Sequence, residues 1–240
     1  MPMIVGSHKK GNRMRPSDLH FFPLALPFVL GQFLLVGLLI ALIEVGILEY
    51  AYTKIGVDRR YVFAVLLLSL FGSYVNIPVA HLPGEQVIAE RVITYFGMRY
   101  TVPMVQEWPG TVIAVNVGGA VLPTLLSLYL LVKHRLYVSG LVGVVVVAAV
   151  VHWMAAPVRG VGIAVPVFVP PLVATATAWV LQRRAAPPLA YIAGSLGTLI
   201  GADLLNLGKI QGLGAPVASI GGAGTFDGIF VTGILAVLLA

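Results

Sequence analysis

"LYVSGLVGVVVVAAVVHWMAA", Leu136 to Ala156, runs for 21 residues without an acid, a lysine or an arginine. A helix rising ~1.5 Å per residue needs about 20 such residues to cross the ~30 Å hydrocarbon core of a bilayer. On either side of this run the chain repeats the pattern. Comparable apolar stretches stand at roughly Phe21 to Ile43, Tyr61 to Leu82, Thr111 to Val132, Val161 to Leu181, Leu189 to Leu207, and from Pro216 or Thr225 to Ala240. Short charged separators such as "TKIGVDRR", "KHR" and "QRRAAPP" divide them.

Composition agrees with this reading. With 59% hydrophobic residues, 10% charged residues and a mean hydropathy of +0.98, the chain has too little polar surface to cover a soluble globule. The expected fold is an all-α integral membrane protein of about seven transmembrane helices, some broken or kinked by glycine and proline. Residues 1–20 form a basic tail with Lys9, Lys10, Arg13 and Arg15, and it has no small-residue cleavage site before the first apolar run. Residues 21–240 then make a single polytopic domain with one long polar connection at 83–110. In that connection "VITYFGMRYTV" reads as a small hairpin or as an interfacial helix, and periodicity does not choose between them.

The absence of cysteine excludes disulfides, thiolate zinc sites, iron-sulfur clusters and cysteine nucleophiles. No cofactor is expected. A net charge of +6 is spread over the loops without a helix-turn-helix, zinc-finger or aromatic-basic module, which argues for lipid headgroups as partners and against nucleic acid. A prokaryotic cytoplasmic membrane is the expected location. The positive-inside rule barely separates the two orientations. With the N-terminus inside, Lys9, Lys10, Arg13, Arg15, Arg91, Arg99, Arg159 and Lys209 fall on the inner side. Lys54, Arg59, Arg60, Lys133, Arg135, Arg183 and Arg184 then fall outside, and this N-inside arrangement is the expectation.

Nine carboxylates occur in the chain, and seven of them flank spans or lie in loops. Asp203 in "GADLLNL" and Asp227 in "GTFDGIF" are different. Counted from Leu189, Asp203 is 14 residues into its span, about 21 Å along a helix. A carboxylate at that depth costs ~2.5–3.5 kcal/mol on insertion scales and needs a partner, a hydrated cavity or a proton. Asp227 has two readings. If Thr225 caps the last helix, Asp227 is a first-turn acid favoured by the helix dipole. If the helix begins near Pro216, or "SIGGAG" enters the slab as broken backbone, Asp227 faces a buried cavity.

Both acids adjoin the connection between two consecutive spans, so an antiparallel hairpin would bring them to similar depth. Two carboxylates sharing a proton are the chemistry of aspartyl peptidases, one acting as base on water and the other polarising the carbonyl. On that reading Asp203 and Asp227 are catalytic. Gly224 and Gly228 allow a close substrate approach, with Asn206 and Asn116 as further binding groups.

The ending "GADLLNL" plus "GGAGTFDGIF" resembles an uncharacterised family of archaeal and bacterial multi-pass membrane proteins. More distantly, two aspartates on consecutive late spans resemble the presenilin and signal-peptide-peptidase intramembrane proteases. That likeness implies diaspartyl cleavage of transmembrane peptides, with Asp203 as the first acid and Asp227 as the second. The chain departs from it in having Ala202 before Asp203, "GTFD" at the second acid, two fewer spans and no Pro-Ala-Leu motif.

A different function follows from "AVNVGGAVLP" (Ala114 to Pro123) and "VASIGGAGTF" (Val217 to Phe226), which align on Gly-Gly-Ala with Asn116 opposite Ser219. Paired interruptions in two halves of a membrane chain point to the central site of a transporter. The chain would then be a proton- or cation-coupled small-molecule transporter, with Asp203, Asp227, Asn206 and Asn116 holding the cation or proton. A third reading is a non-catalytic scaffold in which the acids serve as cap and interhelical bond.

His81 and His152 would form a metal site only with the aspartates, and no HExxH spacing supports one, so no metal is expected. His81 reads as interfacial and His152 as a hydrogen-bonding bridge between spans. Asn76 is read as satisfying backbone freed by Pro78. Pro166, Pro170 and Pro171 make the fifth span irregular.

Overall fold

The computed structural model describes residues 26–44, 46–84, 86–95, 98–107, 110–158, 162–210, 216–222 and 228–240. Among them the chain is mostly helical, with eight α-helices: α1 Leu26–Glu44, α2 Ile47–Lys54, α3 Arg59–Gly72, α4 Leu122–Lys133, α5 Tyr137–Met154, α6 Val169–Leu181, α7 Ala186–Thr198 and α8 Gly228–Leu239. Seven strands accompany them: β1 Asn76–Leu82, β2 Gln86–Tyr95, β3 Met98–Glu107, β4 Thr111–Asn116, β5 Ala156–Val158, β6 Gly162–Ala164 and β7 Val217–Ile220.

The quoted run becomes α5 as expected, but the all-helical expectation is corrected at four other apolar stretches. Tyr61 to Leu82 is helical only to Gly72 and then turns into β1. Pro78 has no N–H to give a helix and forces Ile77 toward extended backbone, and the surrounding residues are β-branched. Thr111 to Val132 begins as β4, bends at Gly118-Gly119 and becomes helical at Leu122, with Pro123 in the first turn. The third case is Val161 to Leu181, where α6 starts at Val169 with Pro170 and Pro171 in its first turn, a position where a proline needs no N–H partner. The last stretch holds β7 and then α8.

Among the described residues, two helical stretches are long and apolar enough to cross a membrane: Tyr137–Met154, of 18 residues, and the composite Arg183–Lys209, of 27 residues. The second contains α7, then a π-turn at Leu199–Asp203 and a 3₁₀ turn at Leu204–Lys209. It forms the axis of the helical core, with α7 packed by α4, α5, α6 and α8. Ala193, Gly197 and Gly201 recur every fourth residue, a small-residue ridge that lets backbones approach closely. A Cβ on Gly197 would lie 2.6 Å from Val147 Cβ, and one on Gly201 2.5 Å from the Ala148 carbonyl oxygen.

The outward surface is apolar. Along α5, Val144, Val147 and Val151 are buried, while Val138 (77% exposed) and Leu141 (65%) face outward. Trp153 and Val180 are each 85% exposed. Apolar side chains so disposed around a helical core suit a lipid environment far better than water.

Among the described residues the strands form three small sheets. The order in the largest is β1-β4-β7, antiparallel between β1 and β4 and parallel between β4 and β7. Its central strand, β4, is almost wholly buried. Within 83–110 the chain forms the β2–β3 hairpin, paired from Gln86↔Glu107 to Tyr95↔Met98, which decides between the two readings of that connection. A second, shorter hairpin joins β5 and β6.

Candidate functional site

Two strands run side by side into glycine turns, and a group of buried polar residues, Ser73, Asn76 and Asn116, lies where they end. β4 and β7 pair in parallel, Ala114 beside Ser219 and Val115 beside Ile220. After β4 the chain makes a π-turn at Val117–Val121 and enters α4, and after β7 come Gly221 and Gly222 on the way to α8. The two Gly-Gly-Ala stretches are therefore spatial neighbours, offset by two residues from their alignment in sequence.

Asn116 closes the first turn. Its Oδ1 accepts the N–H of Gly119 (2.8 Å), while Nδ2 donates to the Ser73 carbonyl (2.7 Å) and to Asn76 Oδ1 (3.1 Å). The side chain is buried and all these bonds are internal, so Asn116 ties α3, β1 and the π-turn together. Asn76 Oδ1 also receives the hydroxyl of Ser219 from β7 (2.7 Å). Rather than serving backbone freed at Pro78, Asn76 is thus the acceptor shared by β4 and β7. Close packing completes the joint, since a Cβ on Gly118 would run into the backbone at Ser69 O and Ser73 N.

The second turn has a charged partner. Gly221 (φ +87°) and Gly222 (φ +86°) adopt the left-handed conformation that side chains disfavour. The Gly221 N–H donates to Asp203 Oδ2 at 2.6 Å. Asp203 is half-buried and ends the π-turn at Leu199–Asp203. Single π-turns inside helices frequently mark functional positions, because they re-aim a side chain and release carbonyls from the regular ladder. Here Asn206 Nδ2 takes up two released carbonyls, Gly201 O and Ala202 O, each at 2.9 Å. Asn206 Oδ1 and Thr198 Oγ1 are buried polar atoms on the same long helix with no partner among the described residues.

Of the residues expected to form a site, the fold brings Asp203 against Gly221 and places Asn206 three residues on, turned into the interior. Asn116 lies in the adjoining turn, and Gly228 opens α8. Asp227 and Gly224 lie outside the described residues. His81 is exposed on β1. His152 Nδ1 is buried without a hydrogen-bond partner among the described residues, so the expected interhelical bond is not made there. No group of three histidine, aspartate or glutamate side chains suited to a metal ion occurs among the described residues. Three participants were not read as site residues from sequence: Ser73, Thr198 and the left-handed Gly221-Gly222 pair. A strand-like "VASI" followed by two glycines was the available signal for the last.

A family profile for proteins of unknown function, DUF1614, matches residues 70–239, from the end of α3 to the end of α8. The chain belongs to the DUF1614 family. The match spans the entire polar junction, and nothing in it links the DUF1614 chain to presenilin-like proteases. No curated protein and no solved structure matches the chain.

Proposed function

We propose that this DUF1614 protein is a polytopic protein of a prokaryotic cytoplasmic membrane that moves a proton or small cation, with Asp203 as the carrier group. The observation that carries the reading is the contact between Asp203 and Gly221: a carboxylate at a helix interruption, set against the glycine turn of one of two adjacent strand–turn–helix units. Non-helical backbone at membrane depth is tolerated where it is buried in protein or lines a hydrated cavity. Paired interrupted segments with polar backbone ends are the usual construction of a transporter's central site. Unpartnered Asn206 Oδ1 and Thr198 Oγ1 add acceptor oxygens along the same helix. About seven membrane crossings remain the expected topology, with some made by strand and helix in series.

Proteoliposomes containing trapped pyranine and placed under a sodium or pH gradient test this reading. Wild-type protein should change the internal pH faster than empty liposomes, and Asp203→Asn should abolish the difference. Wild-type flux equal to that of empty vesicles under both gradients would refute it.

A second reading, diaspartyl cleavage of transmembrane peptides by Asp203 and Asp227, draws support from chain connectivity. The Gly221 amide bound by Asp203 is six residues before Asp227, within about 20 Å of extended chain. It predicts a cleavage product from a transmembrane peptide, lost in both Asp203→Asn and Asp227→Asn. Neither flux nor cleavage, together with unimpaired folding of both variants, would leave the scaffold reading.

A further inference from the structure

The helix ends sort the basic residues into one surface. Lys54, the last residue of α2, donates to the Val237 carbonyl near the end of α8 (3.3 Å). At the end of α4, Lys133 donates to the Gly56 carbonyl in the α2–α3 turn, and His134 Nε2 lies 2.9 Å from the Ile55 carbonyl. Trp179, close to the end of α6, donates to Ala240 O at 3.1 Å. These bonds gather the α2–α3, α4–α5 and α6–α7 turns and the end of α8 at a single end of the bundle.

That end carries Lys54, Arg59, Arg60, Lys133, Arg135, Arg183 and Arg184, the seven basic residues that the span count places together on one side. Glu49 and Asp58 pair with Arg59 (2.6 Å) and Arg60 (3.0 Å). Arg135, Arg183 and Arg184 are exposed, with no acidic partner among the described residues. Tyrosines ring the surface: Lys54, Arg60 and Lys133 lie 5.3, 5.0 and 5.2 Å from the ring centres of Tyr50, Tyr61 and Tyr129. Tyr137 and Trp179, also at this end, are about half exposed. Unpaired arginines among amphipathic aromatic rings are the composition of a headgroup-level belt.

We propose that this end rests on the anionic phospholipid headgroups of the cytoplasmic leaflet. The three turns and the end of α8 are then cytoplasmic, which reverses the N-inside orientation expected from sequence. Asp203, 17 residues beyond Ala186 and so about 25 Å along the helix from this end, lies in the outer half of the bilayer. The orientation holds whatever Asp203 carries.

Because the chain has no cysteine, single cysteines report each side directly. Gln182→Cys and Tyr137→Cys mark the basic end. Ala156→Cys and Gly208→Cys mark the opposite end, and a side chain at Gly208 would meet nothing within 4 Å. A membrane-impermeant maleimide should label the first pair only in inverted vesicles and the second only in right-side-out vesicles, with all four labelled in detergent. The reverse pattern, or equal labelling of either pair from both sides, would overturn the orientation. In nanodiscs of mixed phosphatidylcholine and phosphatidylglycerol, the triple variant Arg135→Gln, Arg183→Gln, Arg184→Gln should retain less phosphatidylglycerol than wild type. An unchanged lipid ratio would overturn the headgroup contact.

Discussion

The two Gly-Gly-Ala stretches share a tripeptide and a preceding strand, yet their glycines answer different demands. At Gly118 the demand is space: Ser69 and Ser73 stand where a Cβ would go, and the backbone follows a π-turn. At Gly221 and Gly222 it is first conformation, with φ at +87° and +86°, and at Gly221 space as well, since a Cβ there would stand 2.6 Å from Ala120 N. Their polar partners differ as well. A neutral asparagine, fully used by backbone and by Asn76, caps the first turn, whereas an ionisable aspartate on another helix holds the second. Sequence similarity therefore locates a pair of joints, the first held by a neutral side chain and the second by an ionisable one.

The largest effect should come from Gly118→Ala. A methyl group overlapping the Ser69 backbone oxygen cannot be relieved by a side-chain rotation, so a loss of about 3 kcal/mol or more is expected, visible as low yield or a large drop in Tm in detergent. Gly118→Ser should fare no better. Next comes Asn116→Ala, which strands the buried Gly119 N–H and the Ser73 carbonyl and should cost about 2–3 kcal/mol in the same measurement. A smaller loss, about 1–2 kcal/mol, is expected for Gly222→Ala from left-handed strain. Gly222→Asn should recover part of it, because asparagine tolerates that conformation. If Gly118 and Gly222 tolerated the same replacements, the distinction between space and conformation would fail. Smallest of all, Ser219→Ala should cost about 1 kcal/mol, since it removes one hydroxyl donor to Asn76.

Legibility in the sequence followed the length of the signal. The 21 uncharged residues from Leu136 to Ala156 exceed what a strand uses, and α5 emerged where that run lies. Thr111 to Asn116 and Val217 to Ile220 are runs of six and four residues, for which periodicity cannot separate a buried strand from part of a helix. Both were absorbed into neighbouring helical runs. Pro78 and Gly118-Gly119 were the physical markers of the breaks, and they read equally well as kinks. Asp203 stood out because a carboxylate is costly among apolar residues. Its partner did not, since a backbone N–H has no signature in a side-chain pattern. Counting spans along the chain already put the seven cations Lys54, Arg59, Arg60, Lys133, Arg135, Arg183 and Arg184 on one side, but eight basic residues against seven gave no decision on which side faces the cytoplasm.

Flux per folded molecule, compared between Asn116→Ala and Asp203→Asn in pyranine-loaded proteoliposomes, gives the sharpest test of Asp203 as the carrier group. Asn116→Ala should lower Tm yet keep its flux once normalised to folded protein, while Asp203→Asn, whose amide oxygen can still accept the Gly221 N–H, should keep its Tm and lose its flux. Full flux in Asp203→Asn, or flux lost in a correctly folded Asn116→Ala, would contradict that role.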